Sequence, residues 1–338
     1  MTEDALKDYT FFKSDKSLLT TLGKDILLKA LSNMLLIRHF EIRAEAGYLN
    51  GKIGGFFHSY QGQEATITAI YDVFGPNHWY VGTYRCHGVA LTLGVLPDAI
   101  MAELYGKKTG NAQGRGGSMH LYHHNLLGGF GIVGGQIPVA TGAAFSSKYL
   151  DNSKIALCFL GDGTVPQGTF HESLNMASLW NLPCLYIIEN NIWGMGTYFK
   201  DANCMAPLAE KIAPSYNMES YTIDGTNYFD LYAALQEIYT KIQKTKRPIL
   251  IEVIAARFRG HSISDPGLYR PKEEVQKAMK EHDPIILLYE EMKNAGFITE
   301  DVFKKMIEQF EQMAIKAQEY AEKSPWPDET ELEEGVYC

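Results

Sequence analysis

Disulfides are the first thing this sequence gives no sign of building. Its five cysteines, Cys86, Cys158, Cys184, Cys204 and Cys338, are scattered, with no CxxC pair. They supply neither a disulfide framework nor a structural-zinc pattern, and a reducing compartment fits them. Cys158 and Cys184 lie in apolar runs and read as small core residues. No uninterrupted stretch of 18 apolar residues occurs, so no membrane span is expected. The opening MTEDALKDYTFFKSDK carries acids and no long apolar core, unlike a secretory signal or an acid-poor transit peptide. Basic tracts are missing too, and with a net charge of −9 nucleic acid is not expected as the principal partner. Neither an internal repeat nor a clear interdomain linker is evident. The simplest expectation is a soluble cytoplasmic protein.

What is present is a chain of 338 residues, 46% hydrophobic and 21% charged, long enough for a substantial core. It is organised around Ile155–Gly196. Ile155 to Leu160 is an apolar run of the length of a buried parallel strand. It stops at Gly161-Asp162-Gly163, where glycine lets the backbone turn sharply and approach a ligand closely. A helix over Thr169 to Trp180 follows, then a second apolar run, Cys184 to Ile188, ending in Glu189-Asn190-Asn191. Asp162 and Asn191 therefore sit just past the carboxyl ends of two successive strands, where open α/β sheets bind ligands. A hard cation such as Mg²⁺ takes one or two such oxygens together with phosphate oxygens, and the turn at Ile192 to Gly194 offers a backbone carbonyl. The N–H groups of Gly163 and Thr164, opening the helix, suit a phosphate. These residue types in this order point to a metal-bridged diphosphate.

Periodicity places the other elements. Residues 25–48 read as an amphipathic helix with Arg38 and Glu41 as a surface pair, and Gln63 to Phe74 as a second helix. Between them His58 stands among aromatics, which alone suits a packed residue better than a catalyst. Trp79 to Arg85 runs as a strand into a loop; Arg85 beside Tyr84 is either a phosphate clamp or a solvated loop arginine. Residues 88–105 are helical with a break near Pro97. Gly106 to Gly135 is irregular and glycine-rich, as functional loops are, and its His120, His123 and His124 lack partners at metal-ligand spacing. A helix over Gln136–Leu150 precedes the organising stretch. Beyond it come a strand at Tyr221–Ile223, a helix at Phe229–Gln243, a strand at Pro248–Ala256 and the polar loop Arg257–Arg270. Charged helices near 271–281, 283–295 and 299–322 follow, and Asp328–Cys338 is an acidic end, flexible or partner-docking. Strand–helix alternation of this kind implies an α/β fold, a mostly parallel sheet with helices on both faces.

The interval from GDG to NN is similar to the signature of thiamine-diphosphate-dependent enzymes. GFFHSYQGQEA, TYRCHG, GRGGSMH, GIVGGQIP, GDG…ENN and RGHSISDPGLYR, in this order, resemble the α subunits of the decarboxylating first component of 2-oxo acid dehydrogenase complexes. The resemblance spans roughly residues 20–325, and the pyruvate-specific branch looks closest, on His58 and GQEA. It implies a thiamine-diphosphate-binding fold of the diphosphate-binding type over residues 23–325, between an N-terminal arm, 1–22, and the acidic tail, 326–338. It implies Mg²⁺ on Asp162, Asn191 and the carbonyl of Trp193. Tyr84, Arg85, Gly163, Thr164 and His261 would meet the diphosphate, and Gly131 and Val133 the aminopyrimidine. His58 and His261 would stand by the substrate and the incoming lipoyl group.

The implied activity is oxidative decarboxylation of pyruvate with reductive acetyl transfer to lipoamide on an acyltransferase core. It would run in an α₂β₂ heterotetramer whose β subunit supplies the glutamate that activates the cofactor; Glu64 and Glu172 are given no such role. Acetoin or branched-chain 2-oxo acid enzymes, and a non-catalytic scaffold, are the alternatives. Thr164 replaces the alanine common after GDG, which a backbone contact tolerates. Ser262 and Ser264 stand where animal relatives are phosphorylated.

Overall fold

The structure, a computed structural model, describes residues 6–331, 333 and 334. Its frame is a sheet of six strands: β1 Trp79–Thr83, β2 Leu126–Phe130, β3 Ala156–Gly161, β4 Cys184–Asn190, β5 Glu219–Asp224 and β6 Ile249–Ile254. They lie in the order β2-β1-β3-β4-β6-β5, and every pairing is parallel. The α/β expectation holds. β4 and β6 are buried along their whole length, as strands covered on both faces must be.

Alternation along the strands builds two cores. Leu157, Phe159, Leu185, Ile187, Ile251 and Val253 face one side, packed with α1 (Leu18–Leu49), α2 (Glu64–Phe74), the short helices α3 (His87–Thr92) and α4 (Pro97–Leu104), and the later helices α9 (Tyr228–Thr245), α11 (Pro284–Asn294) and α12 (Glu300–Lys323). Ala156, Cys158, Leu160, Cys184, Tyr186 and Ile188 face the other, under α5 (Gln136–Tyr149), α6 (Gly168–Leu179) and α8 (Leu208–Ile212). The remaining helices are α7 (Phe199–Ala202) and α10 (Lys272–Glu281). No helix among the described residues is long and apolar enough to cross a membrane.

Three expectations change. The irregular stretch Gly106–Gly135 contains a strand, β2, at the sheet edge; its two glycines hide the strand pattern, and its register against β1 shifts between Tyr80 and Gly82. Arg38 and Glu41 are not a surface pair. Arg38 bonds Glu64 at 2.5 Å and Asp283 at 2.8 Å, and Glu41 is fully buried, accepting from Tyr60 N–H at 2.9 Å and contacting His87 Nδ1 at 3.0 Å. Helical periodicity tells which residues share a face but not which loop lands on it. The acidic end is partly docked: the Lys107 ammonium lies 3.6 Å from the Trp326 ring centre, and Arg115 donates to the carbonyls of Glu331 and Glu334. Leu332 and residues 335–338 lie outside the described residues.

At the other end the N-terminal arm packs on the domain. Phe12 N–H bonds Thr222 O at 2.8 Å, Ser14 and Lys13 bond Asp230, and Tyr9 reaches Glu252.

Candidate active site

Successive connections leave the sheet in opposite directions at β1 and β3, since β1 leads out to β2 while β3 leads to β4. The crevice beyond the carboxyl ends at such a switch point is the expected ligand site. A cavity of about 510 Å³ opens there. Every site residue named from the sequence lines it: His58, Tyr84, Arg85, Gly131, Val133, Asp162, Gly163, Thr164, Asn191, Trp193 and His261. Six chain segments thus converge: the loop before α2, the end of β1, the run after β2, the turns after β3 and β4, and the loop after β6.

Asp162 opens a single 3₁₀ turn after β3 and is 2% exposed. Its Oδ1 accepts from Asn191 N–H at 3.3 Å, while its Oδ2 is buried with no hydrogen-bond partner. Burial pushes the Asp162 carboxyl up to about 6, against the pull of the Asn191 N–H and of Arg257. Opposite it the turn after β4 is held by Ile192 at φ +74°, a left-handed conformation rare for a β-branched residue. Arg257 Nη1 bonds Trp193 O at 2.9 Å, Gly194 O at 3.2 Å and Asn191 Oδ1 at 3.3 Å. One carboxylate oxygen without a partner and a group of neutral oxygens that already gathers a guanidinium nitrogen form a donor set for a hard cation. The residues present fit a divalent metal.

Arg85 is not a solvated loop arginine. It is 5% exposed, donating to Ser59 O at 2.6 Å and to His261 O at 2.9 Å, so it braces the two segments that carry the histidines. Burial and the neighbouring Arg257 lower it to about 10. Two buried guanidinium groups repelling each other favour an anion between them. They also act on the imidazoles: burial, then Arg85, holds His58 down to about 2 and His261 to about 3. Both rings are neutral, 5.1 Å apart and edge to face, with Tyr84 4.4 Å from His58. Each Nδ1 is buried without a partner. Ser262, at 6% exposure, lines the same wall, its hydroxyl 2.9 Å from that of Ser264.

Among the lining residues that carried no role in the sequence reading, three polar ones stand out. Arg257 follows β6 directly at the sheet's ligand edge, and that position was the available signal. Gln63 accepts from Asn191 Nδ2 at 3.2 Å. Glu189 accepts a short hydrogen bond from the Tyr60 hydroxyl, and burial pushes its carboxyl up to about 7. Gln63 and Glu189 stand inside the GQEA and ENN motifs, but their hydrogen-bond partners, 128 and 129 positions away, could not be read from the sequence.

An open parallel sheet with a crevice at its switch point, lined by two buried arginines and by oxygens, defines an α/β protein of the ligand-binding kind. The model of the family described as "Dehydrogenase E1 component" matches residues 32–330, and the chain belongs to that family. It is 40% identical to the pyruvate dehydrogenase E1 component subunit alpha of Rickettsia conorii, over 93% of this chain and 97% of the relative. Against the protein so named from Rhizobium meliloti it is 39% identical, over 92% and 89%. The chloroplastic subunit alpha-3 of Oryza sativa is 38% identical, over 92% of this chain and 75% of that relative.

Proposed function

We propose that this chain is the α subunit of a pyruvate dehydrogenase, active with thiamine diphosphate and Mg²⁺ in an α₂β₂ assembly with a β subunit. The observation that carries the reading is the unpartnered buried oxygen of Asp162 facing a turn whose oxygens collect a cation, between two buried arginines. Membership of the E1 family and relatives named for pyruvate support the substrate. Thiamine diphosphate, when bound, supplies the electron sink for decarboxylation of the 2-oxo acid.

Asp162, Asn191 and the Trp193 carbonyl hold the metal. Gly163 and Thr164 N–H, Tyr84, Arg85 and His261 receive the diphosphate, with Arg257 beside them. Gly131 and Val133, on the cavity wall, would flank the aminopyrimidine end. His58 and His261, neutral chiefly through burial and then through Arg85, stand where a substrate proton would be held or passed. Phe56, Ile132 and Met195 stand exposed at the rim, which supports closure of the site by the β subunit. The lipoyl group of an acyltransferase core enters past the same rim.

Turnover of pyruvate, branched-chain 2-oxo acids and acetoin by the α₂β₂ protein tests the substrate. Preference for pyruvate is expected, and preference for either alternative overturns the assignment.

A further inference from the structure

Glu252 is a carboxylate in the middle of β6, completely buried on the face under α8. Its Oε1 accepts from the Tyr9 hydroxyl at 2.9 Å and from Asn190 Nδ2 at 2.7 Å; its Oε2 accepts from Ala209 N–H at 3.2 Å. Asn190 is itself fully buried at the end of β4. With its amide nitrogen committed to Glu252, its Oδ1 is fixed toward the chain ahead and accepts from Ile192 N–H at 2.9 Å. Ile192 is the residue held at φ +74°. Such a backbone persists only where its surroundings over-determine it.

We infer that Glu252, completed by Tyr9 of the N-terminal arm, is a positioning residue for the metal: through Asn190 it locks Ile192 left-handed, and so sets Asn191 Oδ1 and the Trp193 carbonyl. The convergence of those two oxygens is visible in their common partner, Arg257 Nη1. The lock works through polarity. A carboxylate accepts from every donor around it, whereas a glutamine must turn an N–H₂ toward Tyr9 and Asn190 or toward Ala209 N–H, setting donor against donor. If Asn190 rotates to relieve that conflict, Ile192 N–H loses its acceptor and the turn relaxes. The arm therefore belongs to the metal site although Tyr9 does not line the cavity. Being an inference about the metal, it rests on the function proposed above.

The test is Mn²⁺ binding to the α₂β₂ protein with saturating thiamine diphosphate, read from the free-ion paramagnetic resonance signal. Tyr9→Phe keeps the ring and removes one donor, and is expected to weaken Mn²⁺ about threefold. Glu252→Gln or Asn190→Asp alone is expected to weaken it about tenfold or more. The double variant Asn190→Asp/Glu252→Gln exchanges amide and carboxylate, restores one donor facing one acceptor, and is expected to recover most of the affinity. A merely structural role would lower thermal stability without moving Mn²⁺ affinity. Unchanged affinity in the three single variants, or no recovery in the exchanged pair, overturns the inference. A wild-type protein that binds no Mn²⁺ overturns the metal reading itself, which separates the two failures.

Discussion

Arg85 shows how one side chain links structure and chemistry. Its two bonds to Ser59 O and His261 O fix the segments bearing His58 and His261, and its charge helps hold both imidazoles neutral. Lysine keeps the charge but cannot bridge two carbonyls with a planar fork. Arg85→Lys in the α₂β₂ protein is expected to weaken thiamine diphosphate binding about 10- to 100-fold while the assembly persists, as measured by calorimetry and sedimentation.

A second residue makes a pH prediction away from the site. His78 is 6% exposed, and its Nδ1 accepts from Ile155 N–H at 3.0 Å, which requires the neutral ring. Burial, helped by Lys154, lowers it to about 4 from an ordinary value near 6.5. Below pH 6.5 the unfolded chain takes a proton that the folded chain refuses. The contribution is therefore complete above 6.5 and is lost as pH falls toward 4. Between pH 7 and 5 it amounts to about 1–2 kcal/mol. Urea unfolding at the two pH values should show a smaller drop in His78→Gln than in wild type; equal drops would refute the assignment.

At the scale of elements, the loop between α4 and β2 depends on one buried acid. Glu103, fully buried near the end of α4, accepts from the N–H groups of Ala112 and Gly114 on one oxygen and of Gly116 and Gly117 on the other. The loop then passes Ser118, whose carbonyl and hydroxyl meet His87 Nε2, and delivers Met119 to the cavity wall. Glu103→Gln replaces half of the acceptors with a donor. Trypsin cleavage after Arg115 is expected to accelerate about fivefold or more; an unchanged rate would mean that the docked C-terminal residues hold the loop without it.

Gly62, at the turn into α2, marks another junction. Its φ is +96°, and a Cβ there would lie 2.1 Å from Ala256 O at the end of β6. Gly62→Ala is expected to cost more than about 2 kcal/mol in denaturant unfolding.

These elements also explain what the sequence disclosed. The buried strands and the GDG and ENN turns were legible because each carries its signal in consecutive residues. β2 was not, since Leu126–Phe130 has two glycines and takes its partner only on one side. Glu103 could not be read because its partners are backbone N–H groups, which any residue provides. Arg38 and Glu41 were misjudged because their partners, Glu64, Asp283, Tyr60 and His87, arrive from distant segments.

For the whole molecule, the two cores and the switch point explain why the site lies where it does, and described residues near each end of the chain are tied to it or near it. Tyr9 reaches the strand that precedes Arg257, and the C-terminal residues grip the loop that leads to Met119. The central claim is that the crevice takes thiamine diphosphate through a metal held at Asp162. Calorimetric titration of thiamine diphosphate with Mg²⁺ into the α₂β₂ protein, wild type beside Asp162→Ala, tests it most directly. Tight, Mg²⁺-dependent binding to wild type and none to the variant is the expected result. Equal binding to both, or none to the intact wild-type assembly, would contradict it.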